Sequence, residues 1–211
     1  LVVDRGATMR FGTRRRLKVA QAARVAALLA FAAAGRNGVI GATLWDTQDH
    51  ELPPRHGRLA ALALIEQAAA PCPPLTDPAS TESLHHADRL VALEASLPRG
   101  AQLVLLSDFS WLTAEHEPLL ARLAARFDVW AIQIVDAAER ALPDLGLVRF
   151  HDMASGQRVW LDTAQTAVRS ACQSTWAGCL AAQAASLARA GVRHQRVDSA
   201  ADDLVALLVN G

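Results

Sequence analysis

A chain of 211 residues, 52% of them apolar, is long enough to bury the core of one substantial domain. Its 21 Lys and Arg balance its 21 Asp and Glu, so it lacks the basic face that a nucleic-acid binder needs. The three cysteines, Cys72, Cys172 and Cys179, fit no zinc spacing and suit a reducing, cytoplasmic setting.

Arginine carries nearly all the basic charge, and Lys18 is the single lysine. No stretch reaches the ~20 uncharged apolar residues of a membrane span. The longest run, VAALLAFAAAG at 25–35, is too short and follows arginines, and no secretory signal is visible. The chain opens inside an apolar run without an initiator Met, as a piece of a longer protein would.

Residues 1–4, LVVD, read as a short buried strand. Ala and Leu recur at helical spacing over 14–34, with Gly35 as the stop and RRRLK at 14–18 as a solvated face. GVIGATLW at 38–45 is a second buried strand. A polar turn and a short edge strand, ended by Pro-Pro, follow over 47–57. Residues 58–70 are helical, and four prolines make 71–81 a loop. The next helix covers 82–97, with Ser80 or Thr81 as its N-cap. Strand 102–108 ends in Asp108, and a helix over 113–127 starts at an N-cap on Thr113. Strand 128–136 ends in Asp136. Residues 145–152 and 157–162 form a β-hairpin. A long helix over 163–191, a strand over 192–198 and a closing helix over 201–211 complete the chain.

Buried strands alternating with amphipathic helices predict a single α/β domain over 1–211. It is a three-layer α/β/α sandwich with a mostly parallel, Rossmann-like central sheet. Ligands of such sheets sit beyond the carboxyl ends of the strands. Asp4, Asp108 and Asp136 all stand at such ends, and carboxylates with hydroxyls suit Mg²⁺ or Mn²⁺. The competing reading has Asp4 accepting backbone N–H bonds and Asp108 balancing an arginine. Asp136 caps the turn that follows it.

VVDRGATMRFGTRRRLKVAQAARVAALLA resembles the first strand and helix of a von Willebrand factor A-type domain, and is similar to the bacterial domain-of-unknown-function-58 family. The resemblance continues through LVLLSDFSWL, DVWAIQIVDAAERALPDLGLVRFHDMASGQRVWLD and LARAGVRHQRVDSAADDLVALL. It implies a metal-ion-dependent adhesion site built from Asp-x-Ser-x-Ser, a second-loop Thr and a third-loop Asp. Asp4 matches the aspartate, Thr8 replaces the second serine and Asp108 matches the third-loop aspartate. Thr81 is the choice for the second loop and Thr76 its competitor. Gly6 stands where the first hydroxyl ligand belongs, which weakens a Mg²⁺ site. The implied function is a non-enzymatic protein-interaction module whose partner is a MoxR-type AAA+ ATPase. The partner's acidic side chain would dock on the metal, with Arg10 and Trp111 at the rim and Arg5 and Arg14–Arg16 adding positive charge. Relatives often carry upstream membrane spans, which would put this domain on the cytoplasmic side.

The alternative is a phosphatase with an aspartyl nucleophile, resembling Asp-x-Asp-x-Thr. It lacks its general acid, because Gly6 holds that position, and Lys18 lies too close in sequence to the first loop to be its distal lysine. His85-His86 and His116 lack the i,i+4 partner of a zinc helix. Cys172 and Cys179 share a helix face as buried small hydrophobes, and Trp45, Trp130 and Trp160 are core strand residues. Trp111 either anchors a partner or staples the helix after it.

Overall fold

The computed structural model describes residues 1–73, 86–151 and 156–210. Its elements alternate as expected. They are β1 (Val2–Asp4), α1 (Lys18–Gly35), β2 (Val39–Trp45), β3 (His50–His56), α2 (Gly57–Ala69), α3 (His86–Ser96), β4 (Gln102–Ser107) and α4 (Glu117–Arg126). Then come β5 (Asp128–Val135), β6 (Leu147–His151), β7 (Arg158–Asp162), α5 (Thr166–Arg189), β8 (Arg193–Asp198) and α6 (Leu204–Asn210).

Six strands form one sheet in the order β3-β2-β1-β4-β5-β8. All neighbours are parallel except the edge strand β3, which runs antiparallel to β2. An edge is where Pro53 and Pro54 do no harm, since a missing N–H there breaks no second ladder. The hairpin β6–β7 is a separate antiparallel pair, as its sequence indicated.

Because the inner strands are covered on both faces, nearly every residue in them is apolar. Alternate residues feed two cores. Val3, Leu44, Leu106, Ile132 and Ile134 pack beneath α1, α2 and α6. Val2, Leu103, Leu105, Val129 and Ala131 pack on the other side, against α3, α4 and α5. The result is the three-layer α/β/α sandwich that the sequence predicts.

Helix α1 is apolar and long enough, by length and composition, to cross a membrane. In this fold it lies in the core, burying Val19, Ala22, Val25, Ala26 and Ala30 at helical spacing. It stops at Gly35, as the sequence indicated. Asn37 takes the left-handed conformation at φ 56°, and the N–H of Gly38 returns to the Ala33 carbonyl at 2.9 Å.

Several local expectations are corrected. The basic run is not one solvated face: α1 begins only at Lys18, and that side chain is buried. Helix α4 begins after His116, not at Thr113, and the Thr113 hydroxyl instead meets His116 Nδ1 at 2.9 Å. Trp45 and Trp130 are in the core, but Trp160 is 61% exposed on β7, a strand outside the main sheet. Cys172 is half-buried and Cys179 exposed, because α5 buries only Leu187 fully along its length. Thr76, Ser80, Thr81 and His85 lie outside the described residues.

Asp136 caps the turn Ala137–Glu139 in a capping box, as its position after β5 suggested. It also accepts from the Ser199 hydroxyl at 2.7 Å, from the Thr13 N–H at 3.1 Å and from the Thr13 hydroxyl. One carboxylate thus pins three segments of chain. Burial pushes its pKa up, but these donors outweigh that and hold it below the usual carboxylate range. Asp136→Ala would strand these donors and lower the unfolding free energy by about 3 kcal/mol, measured by urea denaturation at pH 7. A folded pKa below the unfolded one makes this contribution complete near neutrality. It is lost as pH falls through the folded value, so the gap between native and variant should narrow in acid.

Candidate functional site

Strands β1 and β4 lie side by side, and their chains leave in opposite directions, to β2 on one side and β5 on the other. Such a reversal opens a crevice at the carboxyl edge of a parallel sheet. Asp4 ends β1 and Asp108 follows β4 directly, so the crevice receives two carboxylates from distant parts of the chain. Both are nearly buried, at 4% and 7% exposure.

The hydrogen bonds fix each group. Asp4 Oδ1 accepts from the Gly6 N–H at 2.8 Å and Oδ2 from the Ser107 hydroxyl at 2.5 Å. Ser107 Oγ itself accepts from the Phe109 N–H at 2.9 Å and from Trp111 Nε1 at 3.1 Å. Asp108 Oδ1 accepts from the Ser110 N–H at 2.9 Å. Its Oδ2 accepts from Lys18 Nζ at 2.7 Å, and the same ammonium donates to Glu139 Oε1 at 2.6 Å. Thr8 stands in the turn Ala7–Arg10, its hydroxyl 2.9 Å from that of Ser110. The structure therefore joins Asp4, Thr8 and Asp108 at one rim. At Gly6 an added Cβ would lie 3.1 Å from Asp4 Oδ1, so a larger residue would require the carboxylate to shift by a few tenths of an ångström. Phe109 holds the β4 loop in its turn at φ 56°, which costs a non-glycine residue about 1 kcal/mol.

The two carboxylates differ in electrostatics. Burial, and next the neighbouring Asp108, push the Asp4 pKa up to about 6. Burial would raise Asp108 as well, but the charge and hydrogen bond of Lys18 hold it below the usual range. Burial alone would lower Lys18; Asp108 and Glu139 raise it instead, so it stays charged. Among the described residues, Asp4 forms no ion pair.

That imbalance bears on a metal. Among the described residues no three His, Cys, Asp or Glu cluster as ligands. What is present is an all-oxygen set, Asp4, Thr8 and Ser110, with Asp108 beside it and the Asp4 charge unneutralised. Oxygen donors of this kind are what a hard cation prefers, but Gly6 gives no hydroxyl and Lys18 already occupies Asp108 Oδ2.

The other expected residues are placed as follows. Trp111 is half-buried, stacked on His86 with ring centroids 4.6 Å apart and planes 4° apart, and set edgewise to Trp45 and His116. It both staples the loop and borders the rim. Arg10 turns inward, donating to Asp46 at 2.9 Å and to the Pro73 carbonyl. Arg5 lies 3.3 Å from the same Asp46 and donates to the Ala70 carbonyl at 2.9 Å. Arg15 and Arg16 pair with Asp202. The charge expected to face a partner is thus largely engaged within the fold. Ser107, Ser110, Glu139 and Asp46 escaped the sequence reading, and Lys18 was set aside there as too close in sequence to the first loop. For Lys18 the available signal was its being the only lysine in an arginine-rich chain.

Residues 1–178 match the family described as "Protein of unknown function DUF58". No protein of curated function matches the chain. Among solved structures it is similar to the conserved hypothetical protein BatB from Bacteroides thetaiotaomicron, with a TM-score of 0.61 and 12% identity over 99% of this chain and 92% of that one. It is also similar to an aerotolerance-related membrane protein from Bacteroides fragilis, with a TM-score of 0.55 and 13% identity over 99% and 94% of the two chains. At such identities the likeness establishes the fold.

The raised Asp4 pKa has a signed consequence. The folded state holds this proton to higher pH than the unfolded state, so the Asp4 contribution to stability falls as pH rises from about 4 to about 6. Asp4→Asn removes that slope. The difference in urea midpoint between variant and native should grow in the variant's favour across this window in EDTA, and a constant difference would refute the assignment.

Proposed function

The chain belongs to the DUF58 family of proteins of unknown function, and we propose that it is a non-enzymatic protein-interaction module of von Willebrand A type that docks its partner on the rim around Asp4, Thr8, Asp108 and Trp111. The observation that carries this reading is the convergence of Asp4, Thr8 and Asp108 at the reversal between β1 and β4, beside the half-buried Trp111. An aromatic side chain at the edge of a polar crevice suits an anchor, being rigid and large in contact area.

Asp4 and Thr8 would hold Mg²⁺, with Asp108 beside them paired to Lys18 and the second-loop Thr81 outside the described residues. When bound, the ion supplies an open coordination position for a partner's carboxylate. The chain's own part is preparation. Ser107 fixes the Asp4 carboxylate and, through Trp111 Nε1, couples it to the aromatic rim. Asp46 gathers Arg5 and Arg10 and so anchors the first loop to residues 67–73. The partner proposed is a MoxR-type AAA+ ATPase acting in assembly or maturation of other proteins. A similar structure described as a membrane protein supports work beside a membrane, and the cytoplasmic face is the side proposed.

The hydrolase alternative gains one observation: Lys18, close in sequence, is brought into the site. The lysine bonds Asp108, however, not Asp4. Gly6 still supplies no acid. The interaction reading stands ahead on those counts.

The test is capture of a purified MoxR-type ATPase by the immobilised chain at fixed Mg²⁺ and nucleotide. Asp4→Ala and Thr8→Ala should each weaken capture by about tenfold, the loss of some 1.4 kcal/mol of contact. The native chain should release no nitrophenol from p-nitrophenyl phosphate above an Asp4→Asn blank. Equal capture by native and variants would contradict docking at this rim. Metal-dependent turnover lost in Asp4→Asn would establish the hydrolase instead.

A further inference from the structure

Lys18 is 2% exposed, yet it is the first residue of α1, where the helix dipole disfavours a cation. Neither solvation nor helix propensity accounts for a lysine at this position. The ammonium meets Asp108 at 2.7 Å and Glu139 at 2.6 Å, two carboxylates from different loops, and lies 5.8 Å from the centre of the Phe11 ring. Glu139 is itself oriented, its other oxygen accepting from the Asp136 N–H at 2.8 Å. Of the 21 basic residues in the chain, this is the only one that is not arginine. A compact ammonium suits a buried point between two carboxylates, whereas a planar guanidinium is larger and donates along a fixed fork.

We infer that Lys18 is a permanent cation of the strand-end site: it neutralises Asp108 and ties it to Glu139, so the rim stands assembled with no ion bound and the charge open to an added cation is that of Asp4. The inference rests on the reading of this edge as a cation-dependent docking site, and it assigns Lys18 as the positioning residue that sets how strongly the site calls for an ion. Removing Lys18 would leave Asp108 buried and unpaired. A buried pair broken on one side is strongly destabilising, and the freed carboxylate becomes available to a divalent ion.

The test compares the native chain with Lys18→Met, Lys18→Arg and the double variant Lys18→Met/Asp108→Asn. Melting is followed in EDTA and in excess Mn²⁺, and Mn²⁺ affinity by calorimetry. Lys18→Met should melt about 10 °C below native in EDTA. It should recover part of that loss in Mn²⁺ and bind Mn²⁺ about tenfold more tightly than native, a coupling of ordinary size. Lys18→Arg should also melt below native, although its charge is kept. The double variant should regain at least half of the loss in EDTA, since no unpaired charge remains. If Lys18→Met fails to fold in EDTA, the double variant decides: folding there supports the inference. An unchanged melting temperature for Lys18→Met, a Mn²⁺ affinity equal to native or weaker, or a double variant no more stable than the single one would overturn it. Unchanged Mn²⁺ binding and partner capture in Asp4→Ala would sink the docking reading instead, whatever Lys18 does.

Discussion

The carboxyl edge of this sheet depends on how two buried carboxylates are kept together. Placing Asp4 and Asp108 on adjacent strands brings like charges into a region with little water to screen them. The chain relieves the conflict unequally. Asp108 receives a full counter-charge from Lys18, while Asp4 receives only neutral donors, the Gly6 N–H and the Ser107 hydroxyl. A buried ion pair is not by itself a strong source of stability, because desolvation takes back much of the attraction. Its value here is arrangement. Lys18 links α1 to the ends of β4 and β5, so the loops that frame the crevice hold a common geometry.

From that junction the rest of the rim follows in short steps. Ser107 donates to Asp4 and accepts from Trp111, so the aromatic cluster of Trp111, His86, Trp45 and His116 is hydrogen-bonded to the crevice floor. Asp136 orients Glu139, and Glu139 orients Lys18. Asp46 draws Arg5 and Arg10 inward. The basic first loop therefore supports the site from within, and above the two buried carboxylates the rim is formed by the Thr8 and Ser110 hydroxyls and the Trp111 edge.

The architecture was legible because its cause is local. Buried parallel strands are apolar at every position, and helices repeat their apolar face every three or four residues, so β1, β2, β4, β5 and their helices show in the sequence. Asp4 and Asp108 were legible for a related reason: strand ends in a parallel sheet share one edge. Thr8 came from the family resemblance alone. Lys18 was not, because its sequence neighbours are solvated arginines and its partners lie 90 and 121 residues away. Trp160 and Cys179 misled because apolar character says nothing about whether another layer covers an element, and β7 and most of α5 lack one. Thr113 has the chemistry of a cap, but the chain makes one more turn and His116 takes that place.

A single lysine allows a direct test. With ¹⁵N-lysine labelling, the ammonium of Lys18 is the only side-chain signal of its kind, and a buried ammonium bonded to two carboxylates exchanges its protons slowly enough to be seen. In EDTA at neutral pH the folded chain should give one sharp ammonium cross-peak, and Asp108→Asn should shift or abolish it. A signal lost to rapid exchange with water in the native chain, as for a solvated lysine, or one indifferent to Asp108→Asn, would contradict the account.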